Sequence, residues 1–197
     1  MRSCRQHASR IVWHRQGDSV VRLDDMSRIP LWHQKASKRS DGLVIWDYHV
    51  ICVQRIPGSS PSVVWDLDSN LLLPTPLPLY MSESIGSSFH LFPDYKRYFR
   101  IVHAPIFFKY FASDRRHMKD HDGGWIHPPP SYDPVTAADG SGTKHNLNEY
   151  MNISSMEVIN NFEQDSINGV LCKKLGAVID ENLLEDFLQR VFSAIKS

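Results

Sequence analysis

Apolar residues along this chain fall into a few short runs with readable periods. Leu43-Val44-Ile45-Trp46-Asp47-Tyr48-His49-Val50-Ile51-Cys52-Val53 is apolar on both alternating faces, as expected of a central strand covered on two sides. Pro57-Gly58-Ser59-Ser60-Pro61 carries turn chemistry, and Val63-Val64-Trp65-Asp66-Leu67 reads as the return strand of a hairpin. At the far end Leu184, Phe187, Leu188, Val191, Phe192 and Ile195 share one face at helical spacing, which predicts a helix over 181–195. Between these, Leu71 to Tyr80 holds Pro74, Pro76 and Pro78 and predicts an extended loop. Tyr95–Val102 and Ile106–Phe111 are aromatic-rich and core-like, 121–132 and 137–144 are loops, and Asn146 is placed to cap a short helix through Tyr150. A basic, Ser-rich loop spans 35–42. Residues 1–27 show only the apolar pairs Ile11-Val12 and Val20-Val21, and strong patterning begins at Ile29-Pro30-Leu31-Trp32. The expected organisation is therefore an atypical, disordered segment at 1–27 followed by one domain over 28–197.

The hairpin brings two chemical groups together. If Pro57-Gly58 forms the tip, His49 lies opposite Asp66. If the tip is Gly58-Ser59, His49 lies opposite Asp68 with Asp66 diagonal to it. In both registers His49 and Asp66 share a face, because strand side chains alternate with period two. Directly opposite Cβ atoms are about 5 Å apart, within reach of a carboxylate–imidazole contact. A register one residue different would separate the two. Asp68 competes for the same role, or would cap the outgoing loop.

Composition narrows the function class. The 197 residues carry 22 Lys plus Arg against 22 Asp plus Glu, so no net field favours nucleic acid or an anionic membrane. No apolar run approaches the roughly 18 residues needed to cross a bilayer. Three cysteines, Cys4, Cys52 and Cys172, cannot form a paired framework and suit a reducing compartment; the expected location is the cytoplasm, with the nucleus also open. Arg2, Arg5, Arg10 and Arg15 precede the first acidic residue, Asp18, a pattern that a mitochondrial presequence can share with a solvated terminus. His117, His121 and His127 lack a suitably placed glutamate or cysteine pair, so no metal is expected there. Asp114 and Arg115 are read as a structural ion pair.

Trp46-Asp47-Tyr48-His49-Val50 is also a signature, and with it the chain resembles the protein N-terminal glutamine amidohydrolase family, the WDYHV-motif proteins. Further blocks in family order support the resemblance: Ile29-Pro30-Leu31-Trp32, Trp65-Asp66-Leu67-Asp68, the run from Phe111 to Asp120, Trp125 with Pro128-Pro129-Pro130, Asn146 to Tyr150, and Gly176-Ala177-Val178. It covers residues 29 to the C-terminus. The resemblance implies an α/β (α+β) fold of the papain- and transglutaminase-like cysteine-hydrolase type, with a mostly antiparallel central sheet flanked by helices. It implies a Cys-His-Asp triad that converts the side-chain amide of an N-terminal Gln to Glu with release of ammonia, a step in the N-degron pathway. His49 is then the general base and acid, and Asp66 orients it. No cofactor or metal is implied; the expected partners are proteins or peptides with N-terminal Gln, met by a monomer.

One block departs from the family pattern. The nucleophile is expected in an N-terminal Tyr-Cys-Glu-Glu-Asn stretch heading a helix, and this sequence has none. Cys4 sits in Ser3-Cys4-Arg5-Gln6-His7, Cys52 is three residues from His49 and so faces the other side of a strand, and Cys172 is late in the chain. The expectation is a replaced or truncated N-terminus lacking the catalytic helix, leaving either a doubtful hydrolase or a product that at most binds N-terminal Gln.

Overall fold

The computed structural model describes residues 8–13, 29–55, 61–86, 97–154, 157–159 and 162–195. Its strands are β1 (Ala8–Trp13), β2 (Ile29–Leu31), β3 (Val44–Trp46), β4 (His49–Gln54), β5 (Val63–Trp65), β6 (Thr75–Pro76), β7 (Tyr98–His103), β8 (Val158–Ile159) and β9 (Ala177–Asp180). The helices are α1 (Leu77–Tyr80), α2 (Ala104–Tyr110), α3 (Leu147–Met151), α4 (Gln164–Cys172) and α5 (Leu184–Ala194). Seven strands form one sheet in the order β6-β5-β4-β1-β7-β9-β8, and β2 pairs with β3 in a separate ribbon. All pairings are antiparallel except β8 with β9. This is the expected mixed α/β architecture with helices flanking a mostly antiparallel sheet.

The long strand expected over 43–53 is two strands in two sheets. β3 ends at Trp46, Asp47 turns its carboxylate onto the Tyr48 N–H at 3.0 Å, and β4 restarts at His49. A run apolar on both faces suits a chain that changes sheets as well as one that continues, because each half is covered by different neighbours. β4 itself alternates cleanly: His49, Ile51 and Val53 are buried, whereas Val50 is exposed. The Pro-rich segment is also not simply a loop. Pro76 precedes α1 and Pro78 lies in its first turn, where a missing N–H costs nothing, and a π-helical turn continues it over Met81–Ile85.

The sheet reaches into the segment expected to be atypical. Backbone of β1 pairs with β4 (Trp13↔His49) on one side and with β7 on the other; residues 1–7 and 14–28 lie outside the described set, as does the hairpin tip at 56–60. Asn146 precedes α3 as expected but does not cap it with its side chain. Its amide instead donates to Tyr110 O and accepts from Ala112 N, tying α3 to the end of α2.

α5 is the expected amphipathic element, shortened to Leu184–Ala194 by a 3-10 turn over Glu181–Leu183. Its buried stripe, Leu184, Phe187, Leu188, Val191 and Phe192, joins Ile51, Val53, Val64, Phe99, Ile101 and Ile179 of the sheet in the main core. Each such side chain contributes roughly 1.5–3 kcal/mol on burial. His49 shares its face of β4 with Ile51 and Val53, so the base candidate stands at the margin of this core. A smaller cluster of Val102, Phe107 and Tyr150 forms under α2 and α3.

Candidate active site

His49 and Asp66 meet where sequence geometry places them. β4 and β5 pair Cys52 with Trp65, Val53 with Val64 and Gln54 with Val63. Continuing that register sets His49 opposite Asp68 and leaves Asp66 diagonal, the second of the two expected alignments. The contact forms nonetheless: His49 Nε2 lies 2.9 Å from Asp66 Oδ1, with His49 3% and Asp66 1% exposed. Asp68, the competitor, is exposed and instead donates its backbone N–H to the same Oδ1 at 3.0 Å.

Two further side chains complete the carboxylate's surroundings, and neither stood out in the sequence. Tyr80, at the end of α1, donates its hydroxyl to Asp66 Oδ2 at 2.8 Å. Gln34 donates Nε2 to the same oxygen at 3.3 Å and to Trp32 O at 3.2 Å. The opposite amide orientation would aim a carbonyl at the carboxylate, so the network itself sets the orientation. Asp66 therefore accepts two hydrogen bonds on each oxygen. Burial opposes its ionisation, but His49, the Tyr80 hydroxyl and the Asp68 N–H outweigh that and hold the carboxyl below its ordinary range. Tyr80 moves the other way: burial, then the adjacent Asp66 charge, push its hydroxyl well above the usual phenol value, keeping it a donor.

The backbone around Gln34 is built to hold it. Gln34 N donates to Gly42 O at 2.9 Å, Lys35 N to Asp68 O at 2.7 Å and Asn70 N to His33 O at 2.7 Å, so the 33–35 strand-like segment is stitched between the 35–42 loop and the turn after β5. Gly42 has φ +69°, and a Cβ there would come 2.7 Å from the His33 backbone; the close approach requires glycine. On the histidine side, the Trp46 ring packs against His49 with centroids 5.1 Å apart.

Ligand atoms of His49, Asp66 and Asp68 all lie within 4.8 Å of one another, so these three could offer a cation donors. Asp66 already takes four hydrogen bonds, however, and a cation would have to displace some of them. Among the described residues, His117, His121 and His127 do not bring their ring nitrogens together. His117 instead approaches His145, with ring centroids 6.0 Å apart. The expected Asp114–Arg115 pair is not formed: Asp114 binds Arg116 at 2.6 Å, while Arg115 stacks on Tyr132 and donates to Pro130 O and Tyr132 O. Local sequence spacing favoured neither arginine over the other.

Cysteines do not gather at the histidine among the described residues. Cys52 projects from the face of β4 opposite His49, and Cys172 is exposed at the C-terminal end of α4. Cys4 falls outside the described residues. With Nε2 engaged by Asp66, Nδ1 is the nitrogen through which His49 would exchange a proton with a nucleophile.

A buried histidine locked to a carboxylate by motif and register can be compared with known proteins. A family model described as N-terminal glutamine amidase matches residues 6–188. The chain belongs to the N-terminal glutamine amidase family. Relatives named protein N-terminal glutamine amidohydrolase include one from Arabidopsis thaliana, 50% identical over 85% of this chain and 76% of the relative. One from Oryza sativa subsp. indica is 45% identical over 88% of this chain and 74% of the relative. One from Drosophila melanogaster is 38% identical over 62% and 67%. In this amidase family member no helix among the described residues is long and apolar enough to cross a membrane.

Proposed function

We propose that this chain acts on the side-chain amide of an N-terminal glutamine in proteins or peptides, with His49 as base and acid and Asp66 as the carboxylate that orients it. The observation that carries this reading is the 2.9 Å contact between His49 Nε2 and the fully buried Asp66, inside the motif of an amidase family. In the reaction a thiol passes its proton to His49 Nδ1, and the thiolate attacks the Gln side-chain carbonyl carbon. His49 returns the proton to the departing nitrogen as the C–N bond breaks and ammonia leaves. Water, deprotonated by His49, then cleaves the thioester to leave N-terminal Glu and the free thiol. Asp66 holds the Nε2–H tautomer and stabilises the imidazolium. In the N-degron pathway, such an N-terminal Glu can be arginylated, which marks the product for degradation. The cytoplasm, with the nucleus, and a monomeric state complete the proposal.

The placement of Cys52 and Cys172 away from His49 favours a second reading, in which this chain binds N-terminal Gln through the retained half of the site and does not turn it over. Loss of a nucleophile costs many powers of ten in rate. Ammonia release from a Gln-initiated peptide, measured with the intact chain and with His49→Ala, Cys4→Ala and Cys52→Ala, separates the two. Release that is lost in His49→Ala and in Cys4→Ala but kept in Cys52→Ala supports catalysis with Cys4 as the thiol. Peptide binding without release supports the second reading, and neither binding nor release overturns both.

A further inference from the structure

The four hydrogen bonds on Asp66 are not equivalent. Those on Oδ1 come from His49 itself and from the backbone N–H of Asp68, only two residues away. Those on Oδ2 come from side chains 14 and 32 residues distant, Tyr80 and Gln34. A carboxylate gripped on one oxygen only can swing about its Cβ–Cγ bond, a torsion with a broad, two-fold profile. Donors on the second oxygen stop that rotation and leave Oδ1 aimed at Nε2.

We propose that Tyr80, assisted by Gln34, is a positioning residue of the reaction: it fixes the Asp66 carboxylate, and through it selects the His49 tautomer that leaves Nδ1 to work on the nucleophile.

Both groups are embedded where they cannot drift. Tyr80 and Gln34 are fully buried. Tyr80 ends α1 and runs directly into the π-helical turn, whose Ser84 carbonyl accepts from Trp32 N at 3.0 Å. The same short stretch, Trp32 to Gln34, thus contacts both the π-helical turn that follows Tyr80 and the carboxylate. A buried donor of this kind, on a charged acceptor, is worth about twice a neutral hydrogen bond. The Trp46 ring packs against His49 from the other side and limits imidazole rotation.

The inference rests on the proposed roles of His49 and Asp66, and its test keeps the two apart by needing no turnover. Protein labelled with 15N is examined by long-range 1H–15N correlation at a pH where His49 is neutral, in the unaltered chain and in Tyr80→Phe, which removes only the hydroxyl. The unaltered chain should hold its neutral imidazole almost wholly as Nε2–H. Tyr80→Phe, with backbone spectrum and melting behaviour showing an intact fold, should raise the Nδ1–H form on the order of tenfold. Gln34→Met, which removes the longer bond on the same oxygen, should shift it in the same direction by less, and it serves as the second variant if Tyr80→Phe does not fold. Nε2–H retained in full in either folded variant overturns the positioning role. Absence of Nε2–H in the unaltered chain overturns the His49–Asp66 reading instead.

Discussion

Two buried ion pairs in this molecule look alike by burial and differ in everything that matters for chemistry. Arg97 and Glu181 join at 2.5 Å, with the arginine side chain wholly buried. His49 and Asp66 join at 2.9 Å, both nearly inaccessible. Arg97 Nη1 donates to the main-chain carbonyls of Pro30 and Ile85, so the guanidinium ties the β2 ribbon and the π-helical turn to the 3-10 turn before α5. Burial draws the Arg97 pKa downward, yet a guanidinium does not release its proton near neutral pH. That pair can only hold. In the His49 pair one partner is an imidazole, a side chain able to take up and pass on a proton, and it meets its carboxylate through a single ring nitrogen. Burial of charge alone therefore does not single out an active site; the proposed one adds an imidazole facing the buried charge.

The comparison breaks most sharply under Asp66→Asn. The neutral amide removes the counter-charge of the imidazolium and permits the wrong tautomer, so ammonia release from Gln-initiated peptides should fall by about 10⁴-fold while the fold survives. An equal loss in Arg97→Met, measured as a rate per folded molecule, would erase the distinction. Arg97→Met should instead act on stability. It strands Glu181 and two carbonyls, and the denaturant midpoint should report a loss of about 3–5 kcal/mol.

Acid titration sharpens the contrast further. Because the folded Asp66 carboxyl is held below its ordinary range, its contribution is present above the unfolded value of about 3.9 and is lost as pH falls through the lower folded value. Denaturant midpoints taken from pH 5 downward should therefore fall more steeply for the intact protein than for Asp66→Asn. Parallel curves would mean that the carboxylate gains nothing from its donors. The smallest effect belongs to a pair with only its acid at the surface. Arg100 reaches Glu157 at 3.1 Å, but the acid is half exposed and the arginine is already held by the carbonyls of Tyr150, Asn152 and Leu175. Glu157→Gln should change stability by no more than about 1 kcal/mol.

The parts of this arrangement legible in the sequence are those governed by short-range periodicity. Period two put His49 and Asp66 on one face in both expected hairpin registers, and the 3.6-residue stripe of α5 survives residue for residue from Leu184 to Phe192. What escaped depends on distant contacts. The break at Asp47-Tyr48 leaves no mark in a run of apolar residues, since both halves are covered. Gln34 sat beside a basic loop and Tyr80 at the end of a Pro-rich stretch, and nothing local says that either is buried against a carboxylate. A signal for α1 was present, a proline two residues before Tyr80 in a segment free of glycine, but three prolines in five residues argued for extension more strongly. Nothing local marks Arg97 and Arg100 as buried either, because the carbonyls that receive them lie 12 to 75 residues away in the chain.

The central claim, that His49 paired with Asp66 serves the hydrolysis of an N-terminal glutamine amide, is tested most directly by mass spectrometry of one peptide. A Gln-initiated peptide is incubated with the intact chain and with His49→Ala at equal folded concentration, and conversion of its first residue to Glu is followed. The account predicts conversion by the intact chain that disappears in His49→Ala. Conversion that proceeds undiminished in the variant would contradict it.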